Sequence, residues 1–521
     1  MCIFLLDAYS IYYRKHMTAA APLLAVPLFP FPLIASATTA QRARHHFSAL
    51  EAWLSSTPAL QLPLHQIERE QEFRNREVQR LLLQAHVQQR GNGDAGSALC
   101  VTEGGHSRLY THRRLQRRTL KTIFGSIDID RVGYSRDGAS SIHPLDEAMQ
   151  LPARSFSYEL QKRLVKAAVQ GPFRESTERV LETTGLTVPK RSLEQILQEA
   201  AQDFDDFYAQ RLPDSSLPAA SILVVAVDCK GIPMVRSEQR QRPTRRTKGQ
   251  KANRKKMATV AAVFTRQPWV RTPEQVVQSL FRLATAAEAK TEDSPTPPPP
   301  RPENKRVWAS LVKGKESLID EVVQEVHRRD PDVRKTHVAL TDGERALQIL
   351  VGKKLKVTLI LDLLHVLEKV WKAAHVFHPE GSPEAELYAR LMCLRILQGD
   401  VDQVIKGLRQ TVTKRKLFGA KRKTLLGVAD YFHRNRDRMR YHEYLAKGLP
   451  IASGSVEGAC KNLIKDRMER SGMRWTQSMA EAIVKLRALF LSGDFDAYWI
   501  FHITRDQQRL YPPARWSVVV K

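Results

Sequence analysis

Ser221-Ile-Leu-Val-Val-Ala-Val-Asp228 is an unbroken apolar run that ends on an acid. Its length and its Val and Ile content read as a buried strand. A second run, His337-Val-Ala-Leu-Thr-Asp342, ends the same way and is followed by Gly343. Around it the pattern alternates: strand over 336–341, helix over 344–351, strand over 356–361, helix over 362–374. That order implies parallel strands joined by helical crossovers. In open α/β sheets the ligand crevice lies beyond the carboxyl ends of the strands. If the two acid-bearing strands are neighbours, Asp228 and Asp342 emerge at one place. Taken singly, each has a plainer explanation, a strand-end cap for Asp228 and an ordinary Asp-Gly turn for Asp342.

A third acid, Glu457, lies in Ser453-Gly-Ser-Val-Glu-Gly-Ala-Cys-Lys461, a small-residue turn leading into a basic helix expected over 459–470. Two unit charges about 4 Å apart repel by roughly 4 kcal/mol at an effective dielectric of about 20. Three convergent carboxylates therefore call for cations, and hard oxygen ligands suit Mg²⁺ or Mn²⁺. Two such ions can activate a water or a 3′-hydroxyl and stabilise the leaving oxygen during in-line phosphoryl displacement. Asp362-Leu-Leu-His365 is a further constellation. Positions three apart share a helix face, so this pair could hydrogen-bond, position a phosphate or brace a metal-bearing strand. The alternative is a helix-capping Asp with a packed His.

The net charge of +27 and the pI near 10.0 point to a polyanionic partner, nucleic acid before membrane. Hydrophobic content of 42% fits a globular chain, and 521 residues suffice for two to four domains. The five cysteines, Cys2, Cys100, Cys229, Cys393 and Cys460, form no CxxC pair. A disulfide framework or structural zinc is not expected, and a reducing compartment fits. The stretch Ala19 to Ala40 is apolar but broken by Pro22, Pro27, Pro30 and Pro32, which argues against a membrane span.

The expected organisation is an unassigned or disordered arm over 1–40, a helical region over 41–104 and a small β-hairpin segment over 105–150. The hairpin pairs Thr119-Leu-Lys-Thr-Ile-Phe124 with Ser126-Ile-Asp-Ile-Asp130 across Gly125. A helix-turn-helix-like region follows over 151–212, with Lys190 and Arg191 opening its last helix; a plain three-helix bundle would give the same pattern. The first part of an α/β core spans 213–382, with a Pro-rich surface insertion over 284–304. An all-α insertion covers 383–452, the core closes over 453–495, and 496–521 is a tail. Candidate DNA contacts are Lys190 and Arg191, then Arg245 and Arg246 in the basic stretch between the first two core strands. The third basic group holds Lys461, Lys465, Arg467, Arg470 and Arg474, with Trp475 placed to stack on an unpaired base; the alternative is ordinary surface charge with a core Trp.

These settings resemble an Asp-Asp-Glu transposase with a ribonuclease H-like core, a mixed sheet with flanking helices. The group most similar is the ISKra group of bacterial insertion sequences, related to the Mutator-like assemblage. The resemblance rests on Val227-Asp-Cys-Lys-Gly231, Thr341-Asp-Gly343, Leu361-Asp-Leu-Leu-His365 with Val370-Trp371, Ser453-Gly-Ser-Val-Glu457 and Gly472-Met-Arg-Trp475. It implies that Asp228, Asp342 and Glu457 are catalytic metal ligands for two Mg²⁺ or Mn²⁺ ions, with Asp362 and His365 in support. It further implies binding to terminal inverted repeats and target DNA, a homo-oligomer, expected as a dimer, and a cytoplasmic, nucleoid-associated protein. A metal-dependent nuclease or resolvase without a joining step, and a domesticated DNA-binding repressor, are the alternatives. One departure is Cys229-Lys-Gly231 after the first acid, where Asp-Gly is more usual; it leaves the three acids in place.

Overall fold

In the computed structural model, residues 38–103, 106–211, 221–235, 255–281, 298–452, 458, 461–512 and 516–518 are described. The chain divides into two compact units, Met1–His86 and Val87–Lys521.

In the first unit, helices α1 (Thr39–Leu54), α2 (Thr57–Leu60) and the start of α3 (Leu64–Gln89) follow one another. A capping box opens α1. Gln41 N donates to Thr38 Oγ1 at 3.2 Å, and Thr38 N donates to Gln41 Oε1 at 2.7 Å, so two otherwise orphaned donors are satisfied. Arg74 stacks over the Trp53 ring at 4.7 Å.

The second unit opens with strands β1 (Leu99–Glu103) and β2 (His106–Tyr110), then the hairpin β3 (His112–Thr122) and β4 (Gly125–Ser135). Thr122 pairs with Gly125 and Leu120 with Ile127, so the ladder closes on a two-residue turn. The hairpin expected from the alternation around Gly125 is present, and each strand is longer than that alternation alone indicated. After the short helix α4 (Pro144–Ala148) come α5 (Tyr158–Gln170), α6 (Phe173–Thr184), α7 (Lys190–Ala200) and α8 (Phe204–Gln210). Helix α6 stops at Gly185, whose φ of 70° suits the left-handed C-cap.

The central sheet has the order β7-β6-β5-β8-β9. Its strands are β5 (Ile222–Pro233), β6 (Lys255–Arg266), β7 (Glu303–Ser310), β8 (Thr336–Thr341) and β9 (Thr358–Leu361). β6 runs antiparallel to both β5 and β7, whereas β8 is parallel to β5 and to β9. Ile222 to Val227 are each 2% exposed or less, so both faces of the central strand are covered, as an unbroken apolar run requires. Helices α9 (Pro273–Leu280), α10 (Lys315–Arg329), α11 (Arg345–Lys354) and α12 (Leu363–Ala374) alternate with these strands. The all-α stretch follows as α13 (Pro383–Leu397), α14 (Val401–Lys414), α15 (Gly419–Asn435) and α16 (Tyr441–Ala446). After the short helix α17 (Asp466–Met468), the chain closes with α18 (Gln477–Ser492), α19 (Phe495–Leu510) and β10 (Trp516–Val518), which pairs with β1.

Two local expectations change. Strand β5 does not stop at Asp228; it runs on to Pro233 because β6 keeps pairing with it, Asp228 against Val260 through Pro233 against Lys255. The single helix expected over 459–470 is instead a π-helical turn at Lys461–Lys465, the short α17 and a 3-10 turn at Arg470–Gly472. The chain must leave helical geometry there. Trp475 N donates to Pro233 O at 3.1 Å and Val235 N to Trp475 O at 2.8 Å, which docks this segment on the end of β5.

Candidate active site

The parallel registers across β5, β8 and β9 form one row. Val227 pairs with Thr341, and Thr341 pairs with Leu361. The next residue on each strand is an aspartate: Asp228, Asp342 and Asp362. Three carboxylates thus leave three adjacent strands at one level. β8 and β9 end there, whereas β5 continues. Asp362 N donates to Thr341 O at 2.9 Å and ties the third turn to the second.

The three acids differ in surroundings. Asp228 is half-buried, and its Oδ1 accepts from Cys229 N at 2.6 Å. Asp342 Oδ1 accepts from Glu344 N at 2.9 Å. Burial first, then the charge of Asp228, pushes the Asp342 carboxyl above its ordinary range; the Glu344 amide bond opposes this. Asp362 is 2% exposed and caps helix α12 by accepting from Leu364 N at 3.0 Å. Its Oδ2 lies 3.4 Å from His365 Nδ1. The contact has ion-pair distance but poor hydrogen-bond direction, and Nδ1 makes no well-directed hydrogen bond. The adjacent carboxylate still raises the imidazole pKa, with Asp342 adding to it, against the opposing effect of burial. Asp362 is therefore the helix cap that the plainer reading of Asp362-Leu-Leu-His365 expected, and His365 lies against its carboxylate.

Side chains far away in sequence hold this edge. Tyr431 on α15 donates from its hydroxyl to Asp342 O at 3.0 Å. Tyr441 on α16 donates to Leu361 O at 2.8 Å. Gln348 Nε2 bridges Thr341 Oγ1 and Asn435 Oδ1 at 3.2 Å each, and Asn435 Nδ2 donates to Tyr431 O at 2.9 Å. Gly343 has a φ of 93°, and a Cβ there would stand 2.8 Å from the Tyr431 hydroxyl, so both conformation and space favour glycine. Lys315 forms an ion pair with Glu344 beside the same loop, and that pairing raises the lysine pKa. Burial pushes the Cys229 thiol up to about 11, consistent with a neutral filler. Sequence reasoning missed Tyr431, Tyr441 and Lys315. Nothing near them in the chain marks them, since their partners lie on other elements.

The remaining expected site residues divide into three sets. Glu457, Arg245 and Arg246 lie outside the described residues, as does the side chain of Lys461. Lys190, Arg191, Lys465, Arg470 and Arg474 are exposed. Arg467 and Trp475 turn inward, which corrects the expectation that they contact DNA. Arg467 is 0% exposed, donates to Ala168 O at 2.7 Å and stacks at 4.9 Å on the Trp475 ring. Trp475 is 5% exposed, its Nε1 donates to Met468 O at 2.9 Å, and Phe173 meets its ring edge-on. The indole and guanidinium gain more from mutual packing and a carbonyl partner than from open solvent.

Among the described residues no three His, Cys, Asp or Glu side chains converge closely enough to hold a metal ion. Asp228 and Asp342 are both hard oxygen donors, and the charge of Asp228 adds to burial in raising the Asp342 pKa. No helix among the described residues is long and apolar enough to cross a membrane. No family model matches the chain, and no curated protein matches it.

Proposed function

We propose that the chain is a DDE-type DNA transposase with a ribonuclease H-like core, which cuts DNA strands and joins the freed 3′ ends to a target. The observation that carries this reading is the shared register row that brings Asp228 and Asp342 out side by side. The mixed sheet with flanking helices supports it, as does the net charge of +27. Asp228, Asp342 and Glu457 would hold two Mg²⁺ or Mn²⁺ ions, which when bound supply an activated water or 3′-hydroxyl and stabilise the leaving oxygen. The chain's own groups do the rest. Asp362 fixes the start of α12 and keeps His365 turned toward the acids. Exposed Lys465, Arg470 and Arg474, with Lys190 and Arg191, neutralise backbone phosphates of element ends and target. Assembly as a homo-oligomer belongs to the same proposal.

The test is strand cleavage on DNA carrying the element's termini. Asp228→Asn, Asp342→Asn and Glu457→Gln are each expected to abolish cleavage and spare DNA binding. Retained cleavage in any one of them removes the mechanism. Pre-cut ends supplied with Mg²⁺ separate the alternatives. Insertion marks a transposase, cleavage without joining marks a nuclease or resolvase, and EDTA-insensitive binding without products marks a repressor.

A further inference from the structure

The all-α insertion carries a feature that the site above does not use. Helices α14 and α15 are joined by only four residues, 415–418, which makes a helical hairpin. Two basic triplets flank that connection, Lys414-Arg-Lys416 and Lys421-Arg-Lys423, and all six side chains are exposed. Among the described residues none of the six is in an ion pair; Arg415 lies 4.8 Å over the Phe377 ring. From 401 to 435 the chain has nine Lys or Arg, two Asp and no Glu.

Lys421 and Arg422 of the second triplet sit in the first turn of α15, where the helix dipole favours acids, and that turn holds none. Such a placement costs stability, and an external anion would offset it. The apolar residues of the connection point the same way. Leu417 packs into the core, and its N donates to Val412 O at 3.0 Å. Phe418, the next residue, is 86% exposed, the most exposed of the large apolar side chains among the described residues. Lys416 at φ 46° and Gly419 at φ 60° turn the backbone so that one side chain goes in and the other out. An aromatic ring held in water between two cationic triplets has the composition of a surface that stacks on a base while lysines and arginines track the backbone. A lipid surface is the less suited partner, since one ring is the whole apolar contribution of this tip.

We propose that the tip of this hairpin is a nucleic-acid contact, with Phe418 stacking on an unpaired or extruded base and Lys421, Arg422 and Lys423 holding the flanking phosphates. The inference rests on the DNA-processing reading above and adds a surface to it. Phe418→Ala and the triple variant Lys421→Gln/Arg422→Gln/Lys423→Gln test it in the full-length chain. Fluorescence anisotropy would be measured across a salt series on a duplex and on the same duplex with one bulged nucleotide. The wild-type protein is expected to prefer the bulged duplex. Phe418→Ala should lose about ten-fold on it and little on the intact duplex. The triple variant should weaken binding to both and lower the salt slope by about two to three. Equal melting temperatures show that neither variant has unfolded.

An unchanged bulge preference in Phe418→Ala, or an unchanged salt slope in the triple variant, overturns the proposal. So does binding to phosphatidylserine vesicles that both variants abolish while DNA binding persists. Should the wild-type protein bind neither duplex, the DNA-processing reading itself fails. Should it bind normally with both variants unaffected, only the hairpin contact is lost.

Discussion

The hydroxyl of Tyr431 donates to the main-chain carbonyl of Asp342 at 3.0 Å, across 89 residues of sequence. The all-α insertion thereby holds the loop of the second acid, and Tyr441 does the same for the turn before Asp362 through Leu361 O at 2.8 Å. The insertion supports the sheet edge as well as separating the second acid from Glu457 along the chain.

Loss of the first contact should loosen the acid without unfolding the chain. Tyr431→Phe is expected to remove roughly 1 kcal/mol, and cleavage should then need about five-fold more Mg²⁺ for half-maximal rate. A Mg²⁺ titration of cleavage measures this, and an unmoved midpoint would mean that other contacts hold the loop. Gly343→Ala acts from the opposite side of the contact. At φ 93°, with the Tyr431 hydroxyl 2.8 Å from the new methyl, it should cost about 1–3 kcal/mol in chemical denaturation.

Asp342→Asn is expected to stabilise the metal-free protein. Burial and the neighbouring Asp228 disfavour the Asp342 charge, and an amide oxygen can still accept from Glu344 N. A gain of about 0.5–1 kcal/mol is expected without metal, on the scale of a modest change in charge pairing. Added Mg²⁺ should then stabilise the wild-type protein more than the variant, because only ligands that bind the folded state shift the equilibrium. A variant that melts lower than wild type in EDTA would contradict the electrostatic account.

Trp475 should behave as a core residue. Trp475→Ala is expected to cost about 3–5 kcal/mol, because its ring packs on Phe173 and Arg467 at the end of β5. Arg474→Ala, one residue earlier and exposed, should leave the melting temperature unchanged and reduce the salt dependence of DNA binding. Thermal melts followed by binding isotherms distinguish the two. A stable Trp475→Ala protein with weakened binding would restore the DNA-contact role that burial removes.

His143 gives a pH dependence away from the acids. Burial, then the charges of Arg131 and Arg118, pushes its pKa down to about 4, and its Nε2 lies 3.0 Å from Gln116 Oε1. The unfolded chain takes up the proton near pH 6.5, so between 6.5 and 4 the unfolded state binds more protons. The associated stability is fully present above pH 6.5 and drains as pH falls toward 4. For a partly exposed ring it amounts to no more than about 2 kcal/mol after solvent screening. Urea unfolding at pH 7 and pH 4.5 should show a smaller acid loss in His143→Gln than in wild type. Equal losses would assign the acid sensitivity to other groups.

Much of the sheet was legible because burial writes itself into local pattern. The strand over 336–341 has the bounds that the apolar run gave it, and the hairpin at Gly125 follows from alternation and a turn. The ends of β5 and of the helix after Lys461 were not legible. One is set by how far β6 keeps pairing, the other by the docking of Trp475 on Pro233. The direction of Arg467 and Trp475 was hidden for a related reason. A basic residue followed by an aromatic reads as a nucleic-acid surface until a distant Phe173 and the Ala168 carbonyl offer a better partner.

The sequence by itself determined which segments bury and where acids interrupt them, since the cost of placing a charge at the end of an apolar run is a local matter. Only the tertiary structure decided that Val227, Thr341 and Leu361 share a row, so that Asp228 and Asp342 repel one another. It also decided that Tyr431 reaches back to hold one of them. Register and reach depend on pairings between residues far apart in the chain, and periodicity along one strand carries no information about which neighbour it meets.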